Sequence, residues 1–81
     1  MDEVTLDDMI ELLSDIKDNV DYETCTTLVD DHILDSFNII SIISSIDEEF
    51  DVSVPAKEII PENFNSAQSL VAMVNRLADE D

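Results

Sequence analysis

The residue pair with the clearest chemical potential is Asp35-Ser36, which stands where a long polar segment meets a strongly apolar one. Serine is one of the preferred N-cap residues of helices, and this structural role alone would explain Ser36. The start of a helix also favours anions, because unpaired N–H groups and the helix dipole meet there. A phosphodiester on the Ser36 oxygen would therefore be well placed. The pair allows two interpretations, a helix cap or an attachment point.

Other reactive side chains do not form a catalytic or metal-binding set. His32 precedes Ser36 by four residues, but activation of a serine also needs an orienting third group and an oxyanion hole. We therefore interpret His32 as a surface loop residue. Asp30, Asp31 and Asp35 lack the spacing and the turn glycine of a calcium-binding EF-hand loop. The sequence predicts no catalytic residue and no metal site.

A first helix is predicted from about Leu6 to Lys17. Thr5 is in the N-cap position, and the apolar residues that follow recur at spacings of three and four, as on one face of a helix. These residues are Leu6, Met9, Ile10, Leu13 and Ile16. In residues 18–35 the apolar positions show no sustained period. We predict a long ordered loop there.

A second helix is predicted to begin at Ser36 and to end near Phe50. Abundant isoleucine would favour a strand by propensity alone. The polar positions step by three and four, however, and adjacent isoleucine pairs break any alternation by two. Those polar positions are Asn38, Ser41, Ser45 and Glu48.

The C-terminal third of the chain predicts two further helices. After Pro55 the segment AKEII makes a short third helix that Pro61 ends. Asn65 or Ser66 caps a last helix that runs through Leu77. Its buried stripe is formed by Leu70, Val71, Val74 and Leu77. The expected fold is all-α, a small four-helix bundle with a short third helix and a long loop between helices one and two, in a single domain over residues 1–81.

The composition limits the classes of partner. The chain has 81 residues, 44% of them hydrophobic, no glycine, and a formal net charge of −18 from 21 acidic and 3 basic residues. So few Lys and Arg exclude binding to nucleic acid or to an anionic membrane surface, and a partner with a basic patch is implied. No segment approaches the roughly 20 apolar residues of a membrane span. Cys25 is the one cysteine and cannot form an intramolecular disulfide, so we expect a reducing cytoplasm. We also expect a monomer without membrane insertion.

The run DDHILDSFNIISIISSIDEEFDVSVP resembles the signature of the acyl carrier protein family. In that family an Asp-Ser followed by a large apolar residue opens helix two, and an acidic-Phe-x-x-x-x-Pro stretch closes it. Here the pieces are Asp35-Ser36-Phe37 and, further on, Glu48, Glu49, Phe50 and Pro55. The resemblance extends over nearly the whole chain. It implies that Ser36 receives 4′-phosphopantetheine from coenzyme A through a separate magnesium-dependent phosphopantetheinyl transferase, and that Asp35 lies beside that reaction.

Two residues depart from the family pattern. His32 stands where many members have a small residue, often glycine, and Phe37 replaces the usual leucine after the serine. Both changes touch the approach to Ser36. They bear on which transferase accepts the chain.

The predicted surface of helix two bears on the cargo. Fatty-acid carriers of this family typically show acids on its first turns, whereas this chain has Asn38, Ser41, Ser44 and Ser45. That face resembles the face of D-alanyl carrier proteins. We expect Phe37, Asn38 and Ser41 to bind partners.

The partners and the function follow from this resemblance. The resemblance implies that the protein carries an acyl or aminoacyl group as a thioester on the arm at Ser36 and presents it to partner enzymes. These partners are an adenylating ligase that loads an amino acid or small carboxylic acid, and acyl-using enzymes with basic docking patches. The alternatives are a carrier of fatty-acid or polyketide synthesis, or an acidic interaction module without a prosthetic group.

Overall fold

Four α-helices account for most of residues 4–80, the part of the chain that a computed structural model describes. They are α1 (Leu6–Ile16), α2 (Ser36–Phe50), α3 (Pro61–Phe64) and α4 (Ala67–Glu80), with a 3₁₀ turn at Ala56–Glu58 before α3. Within this range there is no strand, and no helix is long and apolar enough to cross a membrane. The all-α fold with a long loop between its first two helices is confirmed.

The first helix is fixed at both ends by side chains. The Asp8 amide donates to Thr5 Oγ1 at 3.2 Å and the Thr5 amide donates to the Asp8 carboxylate at 3.4 Å, a reciprocal capping box. At the other end the Tyr22 hydroxyl donates to the Lys17 carbonyl. Tyr22 is buried, and this burial raises the pKa of its phenol. The N-cap role predicted for Thr5 is confirmed.

The core draws on every helix and on the long loop. α1 packs against α2 and α4, and α3 packs against α4. The buried apolar residues of the core are Met9, Leu12, Leu13, Tyr22, Leu28, Leu34, Ile42, Ile46, Val52, Phe64, Ala67, Leu70, Met73 and Val74. Three of these, Tyr22, Leu28 and Leu34, lie in the loop between α1 and α2. The loop is ordered because it supplies part of the core, although its sequence has no period.

The predicted third helix was placed wrongly. Within residues 56–60 only Ala56–Glu58 is helical, as a 3₁₀ turn, and the short helix begins at Pro61, where the sequence predicts the end of one. Proline suits the first position of a helix, because its φ is preset and its missing N–H would have no partner there. It also drives the preceding residue out of helical geometry, and Ile60 is extended, with φ −127° and ψ 152°.

Helix α4 and its neighbours are tied together by polar side chains. Ser66 is its cap, since Ser66 Oγ accepts from the Ser69 amide at 3.0 Å. The helix continues to Glu80, past the predicted end at Leu77. Its Arg76 donates to the Glu58 carboxylate at 2.6 Å, and this hydrogen bond lowers the pKa of Glu58.

The N-terminal segment is held by an amide of α4. The Val4 amide donates to Asn75 Oδ1 at 2.9 Å, and Asn75 Nδ2 donates to the Val4 carbonyl at 3.0 Å. One side chain thus satisfies both backbone groups of a residue 71 positions away. Asn75 therefore holds the N-terminal segment at Val4, and not the loop before α2.

Candidate functional site

The N-cap of α2 is Asp35, and the interpretation of Ser36 as the cap is wrong. The Asn38 amide donates to Asp35 Oδ1 at 2.9 Å, and the Asp35 amide donates to Asn38 Oδ1 at 3.1 Å, which completes a capping box. Asp35 has the extended backbone of a cap, with φ −101° and ψ −175°. Ser36 is therefore the first residue inside the helix.

The hydroxyl of Ser36 is available for chemistry. The residue is exposed, and within residues 4–80 its side chain makes no hydrogen bond. The N–H groups of Ser36 and Phe37 have no partner in their own helix, because the first turn lacks preceding carbonyls. A negatively charged ester on the Ser36 oxygen would lie beside these donors and at the positive end of a 15-residue helix dipole.

The loop that leads into Ser36 is closed by its own backbone. The Leu34 amide donates to the Leu28 carbonyl at 2.8 Å, and the His32 amide donates to the Val29 carbonyl at 3.0 Å. Leu28 and Leu34 are both buried. These contacts turn the chain back on itself directly before Asp35.

His32 occupies a left-handed backbone position in this turn, with φ 60°. Glycine adopts that region without steric cost, which explains why a small residue suits this place in the sequence. The side chain of His32 is exposed and forms no hydrogen bond in the part of the chain that the structure describes. Its interpretation as a surface loop residue is confirmed.

Asn65 fastens the same loop to the junction between α3 and α4. Its Oδ1 accepts from the amides of Val29 at 2.9 Å and Asp30 at 3.0 Å, and its carbonyl accepts from the Leu28 amide at 2.9 Å. Its Nδ2 also donates to Asp30 Oδ2 at 3.3 Å. The sequence suggested Asn65 only as a helix cap. The sequence offers Asn65 and Ser66 as adjacent cap candidates, and only one of them can cap the helix. The side chain of the other can then make a different contact, as Asn65 does.

The exposed face of α2 is apolar near Ser36. Phe37 is 81% exposed and Ile40 is 64% exposed, three positions apart on one side of the helix. Ser41 is exposed as well, whereas the Asn38 side chain is occupied in the capping box. Residues 36–46 contain no charge. Of the three residues predicted to bind partners, Phe37 and Ser41 are exposed. Ile40 is exposed beside Phe37 and is not among the predicted residues, although a spacing of three indicates the same side of the helix.

Four of the acidic residues lie on a different surface. A pocket of about 150 Å³ between α1 and the end of α2 is lined by Asp8, Glu11, Leu12, Asp15, Glu49 and Phe50. Within residues 4–80 no three His, Cys, Asp or Glu side chains are grouped so as to hold a metal ion. None of the residues predicted for the Ser36 site lines this pocket.

Comparison with known proteins gives consistent relatives. The D-alanyl carrier protein of Lactobacillus delbrueckii subsp. bulgaricus is 33% identical over 67 residues, which cover 83% of this chain and 79% of the relative. The D-alanyl carrier protein of Lactococcus lactis subsp. cremoris is 31% identical over 77 residues, covering 91% and 92%. A probable acyl carrier protein, PigG, of Serratia sp. is 37% identical over 67 residues, covering 83% and 75%.

No family model matches the chain. The identity to these relatives nevertheless extends over most of both sequences, and the four helices occur in the order expected from the resemblance. The chain therefore belongs to the acyl carrier protein family, together with the D-alanyl carrier proteins.

Proposed function

We propose that this protein carries an amino acid or a small carboxylic acid as a thioester on a 4′-phosphopantetheine arm attached to Ser36. The observation that carries the proposal is that Asp35, and not Ser36, is the N-cap of α2. Asp35 caps the helix, so the exposed Ser36 hydroxyl is left without a structural task. The protein is then a substrate of other enzymes and not itself an enzyme, and it works as a single domain, as a monomer, in the cytoplasm.

The attachment needs a partner enzyme. A magnesium-dependent phosphopantetheinyl transferase joins the phosphate of the arm to the Ser36 oxygen, which loses its proton, and the nucleotide part of coenzyme A leaves. The thiol at the end of the arm supplies the thioester chemistry. Asp35 can assist recognition while it caps the helix, because only its Oδ1 accepts the Asn38 amide and its Oδ2 makes no hydrogen bond within residues 4–80.

The charge pattern supports a small cargo loaded by an adenylating ligase. The first three turns of α2 carry no acid, and negative charge returns only at Asp47. An enzyme that reads acids beside the arm with a basic patch would lose two or three ion pairs, each contributing about 0.2 to 1 kcal/mol. The names of two of the relatives, D-alanyl carrier protein, point to the same class of cargo. Basic patches of partners would instead meet the exposed loop acids Asp30 and Asp31.

A loading assay tests the cargo. The phosphopantetheinylated protein is offered to an ATP-dependent D-alanine-adenylating ligase and, separately, to a malonyl transferase of fatty-acid synthesis. We expect kcat/KM for aminoacyl loading to exceed that for malonyl transfer by about tenfold or more, since a loss of about 1.4 kcal/mol in docking corresponds to that factor. The products are separated by the mass of the thioester. Efficient malonyl transfer followed by chain elongation would contradict the proposed cargo and favour a fatty-acid carrier.

A further inference from the structure

The side chain of Asn65 connects the loop before Ser36 to the junction between α3 and α4. The side chain forms three hydrogen bonds, to the amides of Val29 and Asp30 and to the Asp30 carboxylate. These partners precede Asn65 in the sequence by 36 and 35 positions. Asn65 is half-buried at the end of α3, next to Phe64, which is 1% exposed. This connection is therefore anchored on a part of the core that has little freedom to move.

A continuous series of contacts connects Asn65 to Asp35, the residue before Ser36. Asn65 holds the backbone at residues 28–30, and the Leu28 carbonyl accepts the Leu34 amide. Leu34 is 3% exposed and is followed directly by Asp35, the cap of α2. The position of residues 28–30 therefore fixes where the chain enters the helix.

We propose that Asn65 is a positioning residue for the modification of Ser36. Its amide keeps the loop of residues 28–34 in the one arrangement that the transferase accepts, and it holds the carboxylate of the exposed Asp30 in place for a basic partner. The inference rests on the proposed function, because it concerns the same reaction at Ser36.

The Asn65→Ala variant is expected to affect docking more than chemistry. Without the three side-chain hydrogen bonds the loop samples other arrangements, and the apparent affinity of a partner falls in proportion to the fraction of competent molecules. Once bound, the same complex forms. With coenzyme A, magnesium and a broad-specificity transferase, we expect KM for the protein to rise about five- to tenfold while kcat stays within about twofold. Amide hydrogen exchange over residues 28–34 should become faster.

Asn75→Ala is the matched control. Asn75 is also an amide that satisfies two backbone groups in a partly buried setting, but it holds Val4 and not the loop. It should lower the melting temperature by a similar amount and leave both KM and the exchange of residues 28–34 unchanged. A rise in KM equal to that of Asn65→Ala would show that general stability and not loop position is measured.

A double variant tests the hydrogen bonds themselves. Asn65→Asp keeps an acceptor for the two amides but places a second carboxylate beside Asp30, so KM should rise. Adding Asp30→Asn reverses the donor and acceptor of the side-chain pair, and KM should return to within about twofold of the value for Asp30→Asn alone. Failure of this rescue would count against a positioning role.

The outcomes separate the two proposals. If the parent protein accepts the arm and Asn65→Ala has unchanged KM and unchanged exchange, the positioning role is wrong and the proposed function stands. If the parent protein is not modified by any transferase, the proposed function is wrong and the role of Asn65 in it falls as well. A raised KM with restored behaviour in the double variant supports both.

Discussion

Replacement of Ser36 by alanine is expected to abolish attachment of the arm while leaving the stability of the fold almost unchanged. In the proposed function the Ser36 hydroxyl accepts the phosphopantetheine, so its removal would leave no site for the reaction. The residue is exposed and forms no hydrogen bond in residues 4–80, and alanine is favourable inside a helix. The free energy of unfolding should therefore change by no more than about 0.5 kcal/mol. Thermal unfolding and the mass after transferase treatment measure the two effects.

Two further variants calibrate this result. Asp35→Ala removes the cap and should lower the free energy of unfolding by about 1 kcal/mol, because the Asn38 amide loses its acceptor. Ser14→Ala changes an exposed serine of α1, and it should accept the arm like the parent protein. If Ser36→Ala lowered stability as much as Asp35→Ala, the assignment of the cap to Asp35 would be wrong. Modification of Ser36→Ala would place the arm on another residue.

Phe64→Ala is expected to have the largest effect on folding. Phe64 is the largest fully buried side chain and lies in α3, a helix of only four residues that depends on packing to stay in place. Removal of a buried phenylalanine ring costs about 3–5 kcal/mol. Single domains are stable by about 5–15 kcal/mol, and a short chain stands near the lower end. Urea unfolding followed by circular dichroism should show a transition shifted far toward low denaturant.

Phe37→Ala is the control of the same residue type. Phe37 is 81% exposed, so its removal should change the free energy of unfolding by no more than about 0.5 kcal/mol. Phe64→Ala should also loosen Asn65, the next residue, and with it the loop before Ser36. Equal losses of stability in the two variants would contradict the arrangement of the core described above.

The long helices were predictable because the apolar residues that each helix buries recur with the helical period. Met9 and Leu13 in α1, and Leu70 and Val74 in α4, recur at helical spacing and are buried as expected. In α2 the spacing of polar residues outweighed the strand propensity of isoleucine. Local patterns of this kind report one face of one helix, and they are sufficient where a helix is long.

Short elements were harder to place because a proline can mark either the end or the beginning of a helix. Pro61 can end one helix or begin another, and the pattern of residues 56–60 does not decide between them. The structure has the second arrangement, with the extended Ile60 separating the 3₁₀ turn from α3. The choice depends on how Phe64 reaches the core and how Glu58 meets Arg76, and these are contacts between distant parts of the chain.

The sequence predicted where α2 begins, but not which residue caps it. Asp35 and Ser36 are both good caps, and adjacent residues with the same preference cannot be told apart by propensity. The capping box with Asn38 decides for Asp35. Asn65 could not be assigned because its partners, Val29 and Asp30, precede it by more than 30 residues. A local pattern contains no record of such a contact.

The most direct test of the account is the intact mass of the parent protein after incubation with coenzyme A, magnesium and a broad-specificity transferase, followed by peptide mapping. The account predicts one added phosphopantetheine per chain, on the peptide that contains Ser36, and none in the Ser36→Ala variant. An unchanged mass with several transferases, or an adduct on a different residue, would contradict the carrier function and leave an acidic interaction module as the better explanation of this fold.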